Sequence, residues 1–299
     1  MRSARHRRRR RLLAAVAVAL GIAAAGCGGS SQTAGEGTAP APTATDGAPG
    51  APELRVRPLP ERVSLLSGRF AKHVDVWGVD IVATEATEDA KVLHAARVMA
   101  GYLDNDADGT PDDRSVVDAM VANRATLLTA ATPDELEGPQ ADAAIGFVGP
   151  GGQDLYGTET APGAGFDAAL EEVHHLILNT GWAQVFPDRL AASPGSATAE
   201  AMDRARGGRF ASVPDRYPAG AWYTYDDRTC DYACQVSEYS YWAHTGLLGA
   251  QAGRGAEVDD EWRLPAPDAV RRGDPAATAV LEDPALGLPT ELPGGDYPD

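Results

Sequence analysis

Several things are scarce in this chain of 299 residues, and each scarcity excludes something. Cysteine occurs three times, at Cys27, Cys230 and Cys234. That is too few for a disulfide scaffold or for a zinc site built from two cysteine pairs. Basic residues are few outside the first 26 positions. Losing that stretch removes seven arginines and no acid, and moves the formal charge from -17 to -24. A body this acidic excludes nucleic acid and anionic lipid headgroups as natural partners and favours cations. There is no internal repeat, no Gly-x-Ser-x-Gly element, no phosphate loop and no dinucleotide fingerprint, so the enzyme classes built on those elements are unsupported. The longest apolar run, Leu12 to Ala25, is shorter than the roughly 18–20 residues of a permanent membrane helix.

What is present begins with that run. MRSARHRRRRRLLAAVAVALGIAAAGC has an arginine-rich start, an apolar middle and small residues before Cys27, the layout of a cleaved secretion signal over 1–26. Ala24-Ala25-Gly26-Cys27 resembles the lipobox of bacterial lipoproteins, with Ala24 where a larger aliphatic residue is usual. The resemblance implies cleavage before Cys27, a lipid on its thiol, and anchoring to the outer face of the cytoplasmic membrane or the cell envelope. Arg9 and Arg10 leave twin-arginine export open beside the general route, and an ordinary signal with a free Cys27 is the alternative to lipidation. Residues 27–55 are mostly Gly, Ser, Thr, Ala and Pro, cannot bury a core, and read as a disordered tether. Residues 56–299 then form a single domain. In an oxidising compartment Cys230 and Cys234 read first as a short-loop disulfide, ahead of free thiols or a zinc pair.

Periodicity predicts a strand over 73–84, a helix over 85–103, a second helix from about Arg114 that carries Leu127, and a short strand over 143–148. Helices follow over 166–179, stopped by Gly181, then 197–205 and 235–251. The Pro- and Asp-rich stretch after Gly253 reads as a surface wrap. Strands early and helices late make an α+β fold, helix-rich with a small sheet.

Asp104-Asn105-Asp106-Ala107-Asp108-Gly109-Thr110-Pro111-Asp112-Asp113 places acids at alternate positions before a turn-permitting glycine, a pattern that wraps oxygen ligands around a hard cation. Over 104–115 it resembles an EF-hand loop or the loops of thrombospondin type 3 repeats. The resemblance implies Ca²⁺ held by Asp104, Asp106 and Asp108, by the Thr110 carbonyl, and by Asp112 directly or through water. Ser115 stands where an EF-hand has a bidentate glutamate, and Pro111 where an apolar residue is usual. Both departures point to weaker binding, completed by Asp113 or water, which suits calcium-rich surroundings. The bland alternative is an acidic solvated turn.

On the helix over 166–179, Phe166, Ala169, Leu170, Val173, Leu176 and Ile177 fall on one side, and Asp167, Glu171, Glu172, His174 and His175 on the other. Glu171 and His175 stand one turn apart, the spacing at which a helix offers two ligands to one ion. Glu171-Glu172-Val173-His174-His175 resembles the HExxH motif of zincin metallopeptidases, with glutamate for the first histidine. The resemblance implies a zincin-like domain in which Glu171 and His175 are ligands to Zn²⁺ or another divalent metal and Glu172 is the general base. In the gluzincin branch a later glutamate completes the set, and Glu238 in Ser237-Glu238-Tyr239-Ser240-Tyr241-Trp242 takes that place. Two carboxylates and one imidazole offset the charge of Zn²⁺ and acidify its water less than two neutral histidines would. The competing reading is a solvated helix face with Glu and His pairs. An ExxH di-iron arrangement lacks its second element.

Eight of the fourteen Tyr and Trp residues lie between Tyr217 and Trp242. They read as a packed wall or as a cleft for a peptide or carbohydrate, with Tyr239 or Tyr241 as transition-state donors. The expectation is a surface-anchored calcium lipoprotein with a metal-dependent hydrolase site, or a non-catalytic envelope module of the same architecture.

Overall fold

The computed structural model describes residues 50–163 and 165–298. The leader, Cys27 and the tether up to residue 49 lie outside the described residues. Packing begins at the end of the stretch read as tether. Leu54 is buried in the core, and the Gly50 carbonyl accepts from Trp77 Nε1 at 3.2 Å.

A five-stranded mixed sheet runs in the order β1 (Arg57–Pro58), β2 (Lys72–Val76), β3 (Val79–Ala83), β4 (Thr126–Ala130) and β5 (Gly152–Tyr156). The first two pairings are antiparallel and the last two parallel. The single strand expected over 73–84 is a hairpin. Trp77 and Gly78, with φ of 50° and 91°, form a two-residue turn with left-handed backbone at both positions, which matches strand twist.

Period-two alternation sorts the strands onto two faces. Val74, Val76, Ile81, Leu127 and Leu155 join the larger core, whereas Val82, Leu128, Ala130 and Tyr156 join a smaller one. The crossover from β3 to β4, α1 (Asp89–Leu103) and α2 (Arg114–Ala122), covers the larger-core face. The crossover from β4 to β5, α3 (Pro139–Val148), covers the other.

Two expectations fail around these crossovers. Leu127 is not on α2 but in β4, because Arg124, at φ 55°, turns the chain out of the helix. Residues 143–148 are helical, not extended. Pro139 opens that helix at its first turn, and Ala141, Ala144 and Val148 bury at helical spacing. The strand comes afterwards, in the unpatterned segment GQDLY, and just before it Gly151 lets the backbone pass the Asn123 carbonyl. A Cβ there would lie 2.3 Å from that oxygen.

On the larger-core side lie α4 (Ala168–Ile177), α5 (Ala197–Ala205), α6 (Tyr232–Leu247), α7 (Pro267–Gly273) and α8 (Pro275–Leu281). Gly181 does not stop α4. It sits in a π-helical turn over Leu178–Trp182 and presses on α2, where a Cβ would lie 2.9 Å from Met120 and Val116. The stretch after Gly253 is not a surface wrap either. Trp262, Val270, Ala277 and Leu281 are core residues, and the prolines and aspartates there start helices, with Asp274 capping α8. The chain is an α+β, helix-rich fold with a small sheet. No helix among the described residues is long and apolar enough to cross a membrane.

Candidate metal centre

Asp167 starts α4. Its Oδ1 accepts from the amides of Ala169 and Ala161, and its Oδ2 meets Nε2 of His94 on α1 at 2.6 Å. Burial raises this carboxyl, but His94 and the two amides outweigh that and hold it below the usual carboxylate range. The pair pins the first turn of α4 between α1 and the sheet. Asp231 starts α6 by accepting from the Cys234 amide, and the Cys230–Cys234 disulfide closes the same turn. The glycine of α6 at position 246 lets it approach Val270 and Trp262.

The docked helices bring Glu171 and His175 of α4 to Glu238 of α6. One ligand atom from each lies within 4.8 Å of the others, and all three residues are at most 6% exposed. The polar side of α4 is therefore not a solvated face, because Glu171, His174 and His175 are buried and only Glu172 is half-exposed. His175 Nε2 faces Glu238 Oε2 at 3.8 Å, too far for a hydrogen bond, and has no hydrogen-bond partner although buried. Burial pushes the imidazole pKa down, but Glu238, Glu172 and Glu171 outweigh it and raise it to about 9. An orphaned ring nitrogen facing two carboxylates is a donor set a divalent cation fits. Ligands about 2 Å from one ion sit roughly 3–3.5 Å apart, so a small inward movement would close the set.

Glu172, the expected base, turns elsewhere. Its Oε2 accepts from Gln153 Nε2 at 2.7 Å and lies 3.5 Å from His175 Nδ1. Tyr241 packs its ring on His174 and His175, with centroids 6.0 and 5.9 Å away, and Gln251 and Arg254 lie near its hydroxyl. Burial, then the charge of Glu171, pushes that phenol well up. Tyr239 is not brought to the centre. Its hydroxyl donates to Asp274 Oδ2 at 2.6 Å, and its ring packs on Tyr223 and Trp262.

Sequence reasoning missed Gln153, whereas His244 reads from the sequence as a structural residue on another face of its helix. His174 Nε2 lies 3.2 Å from His244 Nδ1, and His244 Nε2 is 3.1 Å from the Pro289 carbonyl. Burial, then the neighbouring histidines, holds His174 well below its ordinary value. Burial against the weaker pull of Pro289 lowers His244 to about 4. His244 follows Glu238 by six residues on one helix, about 1.7 turns, so it falls on a different face and helical spacing gave no signal for its meeting with His174.

Two further groups could hold a metal ion. Asp104, Asp106 and Asp108 converge, with Ala107 and Gly109 in left-handed backbone at φ 55° and 91°. Asp104 is buried and accepts from the amides of Asp108 and Gly109 and from the Tyr297 hydroxyl. Asp112 accepts from the Asn105 amide. Burial and then the charges of Asp106, Asp104 and Asp108 raise its carboxyl, against that hydrogen bond. The Thr110 amide donates to Asp108, while Asp113 is committed to capping α2 through Ser115. His73, Asp75 and Asp80 form the other group, already engaged by Arg62, which donates to Asp75 at 2.5 Å and Asp80 at 2.7 Å.

The aromatic segment divides. Tyr223, Tyr239 and Tyr241 are core, whereas Tyr217 and the buried Tyr225 line an open cleft of about 440 Å³ with Asp215, Asp226, Arg228 and Arg263. No protein-family model matches the chain, and neither a curated protein nor a solved structure is significantly similar to it.

Proposed function

We propose that the chain is an exported lipoprotein, anchored through Cys27, whose zincin-like domain carries a hydrolase-type metal centre and a calcium loop. One observation carries the reading of the centre: the buried, unpartnered Nε2 of His175 faces carboxylates from two different helices. One imidazole and two carboxylates suit Zn²⁺ and leave a fourth position open. When bound, such an ion supplies Lewis acidity and an acidified water, here moderated by two anionic ligands. Glu171, His175 and Glu238 hold it. Tyr241, near Glu171, Gln251 and Arg254, is the donor toward a developing oxyanion. Peptides or carbohydrates outside the cytoplasm are the substrate classes. At the loop, Asp104, Asp106 and Asp108, with the Thr110 carbonyl and Asp112, hold Ca²⁺.

Metal analysis of the purified chain tests this reading. About one zinc per chain is expected in the wild type and none in His175→Ala, with hydrolysis of a peptide mixture lost to a chelator and restored by zinc. Equal metal in both proteins sinks the assignment.

A second reading is favoured by the burial of all three ligands. In it the centre holds metal to brace α4 against α6 in a non-catalytic envelope module. Chelation would then lower the melting temperature with no hydrolysis to lose.

A further inference from the structure

His175 is approached by carboxylates at both ring nitrogens. Nε2 faces Glu238, and Nδ1 faces Glu172 Oε2. A neutral imidazole has one lone pair to give, and whichever nitrogen keeps the proton cannot ligate. An acceptor at Nδ1 keeps the proton there and leaves the Nε2 lone pair on the side of Glu238, in the group that Glu171 completes. Ligating histidines are ordinarily oriented in this way by an outer partner. Glu172 is itself held, since Gln153 on β5 donates to the same Oε2 at 2.7 Å and ties the carboxylate to the sheet. A proton acceptor for a water in the centre would have to reach the Nε2 side of the ring. Glu172 is engaged at the Nδ1 edge.

We infer that Glu172 and Gln153 form a positioning pair, Glu172 fixing which nitrogen of His175 ligates and Gln153 acting through Glu172 from the sheet. The inference rests on the metal reading above and gives Glu172 a duty other than that of general base. It makes Gln153, a polar residue in an unpatterned strand, part of the centre's second layer.

Cobalt(II), added alone to the metal-free full chain and followed by its visible d–d absorbance, tests the inference. Glu172→Ala should weaken cobalt binding about 10–100-fold and shift the band. Glu172→Gln, whose amide oxygen still accepts from Nδ1, should recover most of the affinity. Gln153→Ala should weaken binding several-fold in the wild type and not further in the Glu172→Ala background, because it works through that carboxylate. Histidine ¹⁵N NMR of the zinc-loaded wild type needs no variant to fold and should show His175 protonated at Nδ1 and metal-bound at Nε2. Cobalt affinity and spectrum unchanged in Glu172→Ala, additive losses in the double variant, or metal at Nδ1 would each overturn the pair while the metal reading stands. A wild-type chain that takes up neither cobalt nor zinc removes both.

Discussion

Nε2 of His175 and Oε2 of Glu238 face each other at 3.8 Å across the junction of two helices, buried and without a hydrogen bond between them. Glu238 should therefore matter to metal more than to the fold. Glu238→Gln keeps shape and a ligating oxygen but removes a charge. Zinc affinity measured by competition with a chromophoric chelator is expected to fall by at least tenfold, with the circular dichroism spectrum unchanged. Affinity within twofold of wild type would show that the glutamate is not a ligand.

The same contact sets the pH dependence of the metal-free protein. His175 is raised to about 9, above its ordinary 6.5. Its contribution is therefore full below pH 6.5 and lost as pH rises through about 9. His244, lowered to about 4, acts in the opposite sense. It is neutral in the fold, and stability is lost as pH falls from 6.5 toward 4, with His174 adding in the same direction. Urea unfolding of the metal-free chain should be most resistant near pH 6.5–7 and lose on the order of a few kcal/mol by pH 9.5. In Glu238→Gln the alkaline loss should shrink. A stability flat from pH 7 to 9.5 in the wild type would contradict the assignment.

Much of the centre was legible in sequence because helical spacing is a local property. Glu171 and His175 at i, i+4 must share a side of any helix they occupy, and Glu238 heads the face of α6 that also carries Tyr241. What sequence could not show was which side of α4 is buried. Both are, since α1, the sheet and α6 enclose the helix, and amphipathic pattern signals only the more apolar half. Gln153 was invisible for the same reason, because β5 owes its strand state to pairing with β4 and not to its own residues. Tyr239 and Tyr241, two positions apart, point to different sides of α6, so only one reaches the histidines. The helices after Gly253 were hidden by prolines and aspartates that read equally as loop or as helix start.

The acidic loop clasps the far end of the chain. Asn105 accepts from the amides of Thr290 and Glu291, and Asp104 accepts from the Tyr297 hydroxyl. Calcium in the millimolar range should raise the melting temperature by several degrees, and Asp106→Ala, an exposed member with no such clasp, should abolish the rise. A melting temperature indifferent to calcium in the wild type would sink the calcium assignment.

Two glycines close together in sequence should respond oppositely to alanine. Gly146 lies within α3 with open space where a Cβ would go. Gly146→Ala should stabilise by about 0.5–1 kcal/mol, because alanine loses less backbone freedom in a helix. Gly151 enters β5 against backbone, with the Asn123 and Arg124 carbonyl oxygens 2.3 and 2.8 Å from a Cβ built there. Neither oxygen can rotate away as a side chain would, so Gly151→Ala must displace the start of β5 or the turn leading into β4, at about 1–3 kcal/mol. Because β5 carries Gln153, that displacement should also loosen the hold on Glu172 and weaken cobalt binding, although position 151 touches no ligand. Urea midpoints and cobalt titrations of the two variants decide it. If Gly151→Ala matches the wild type in both, the close approach of β5 to the Asn123 carbonyl is not a constraint on the fold.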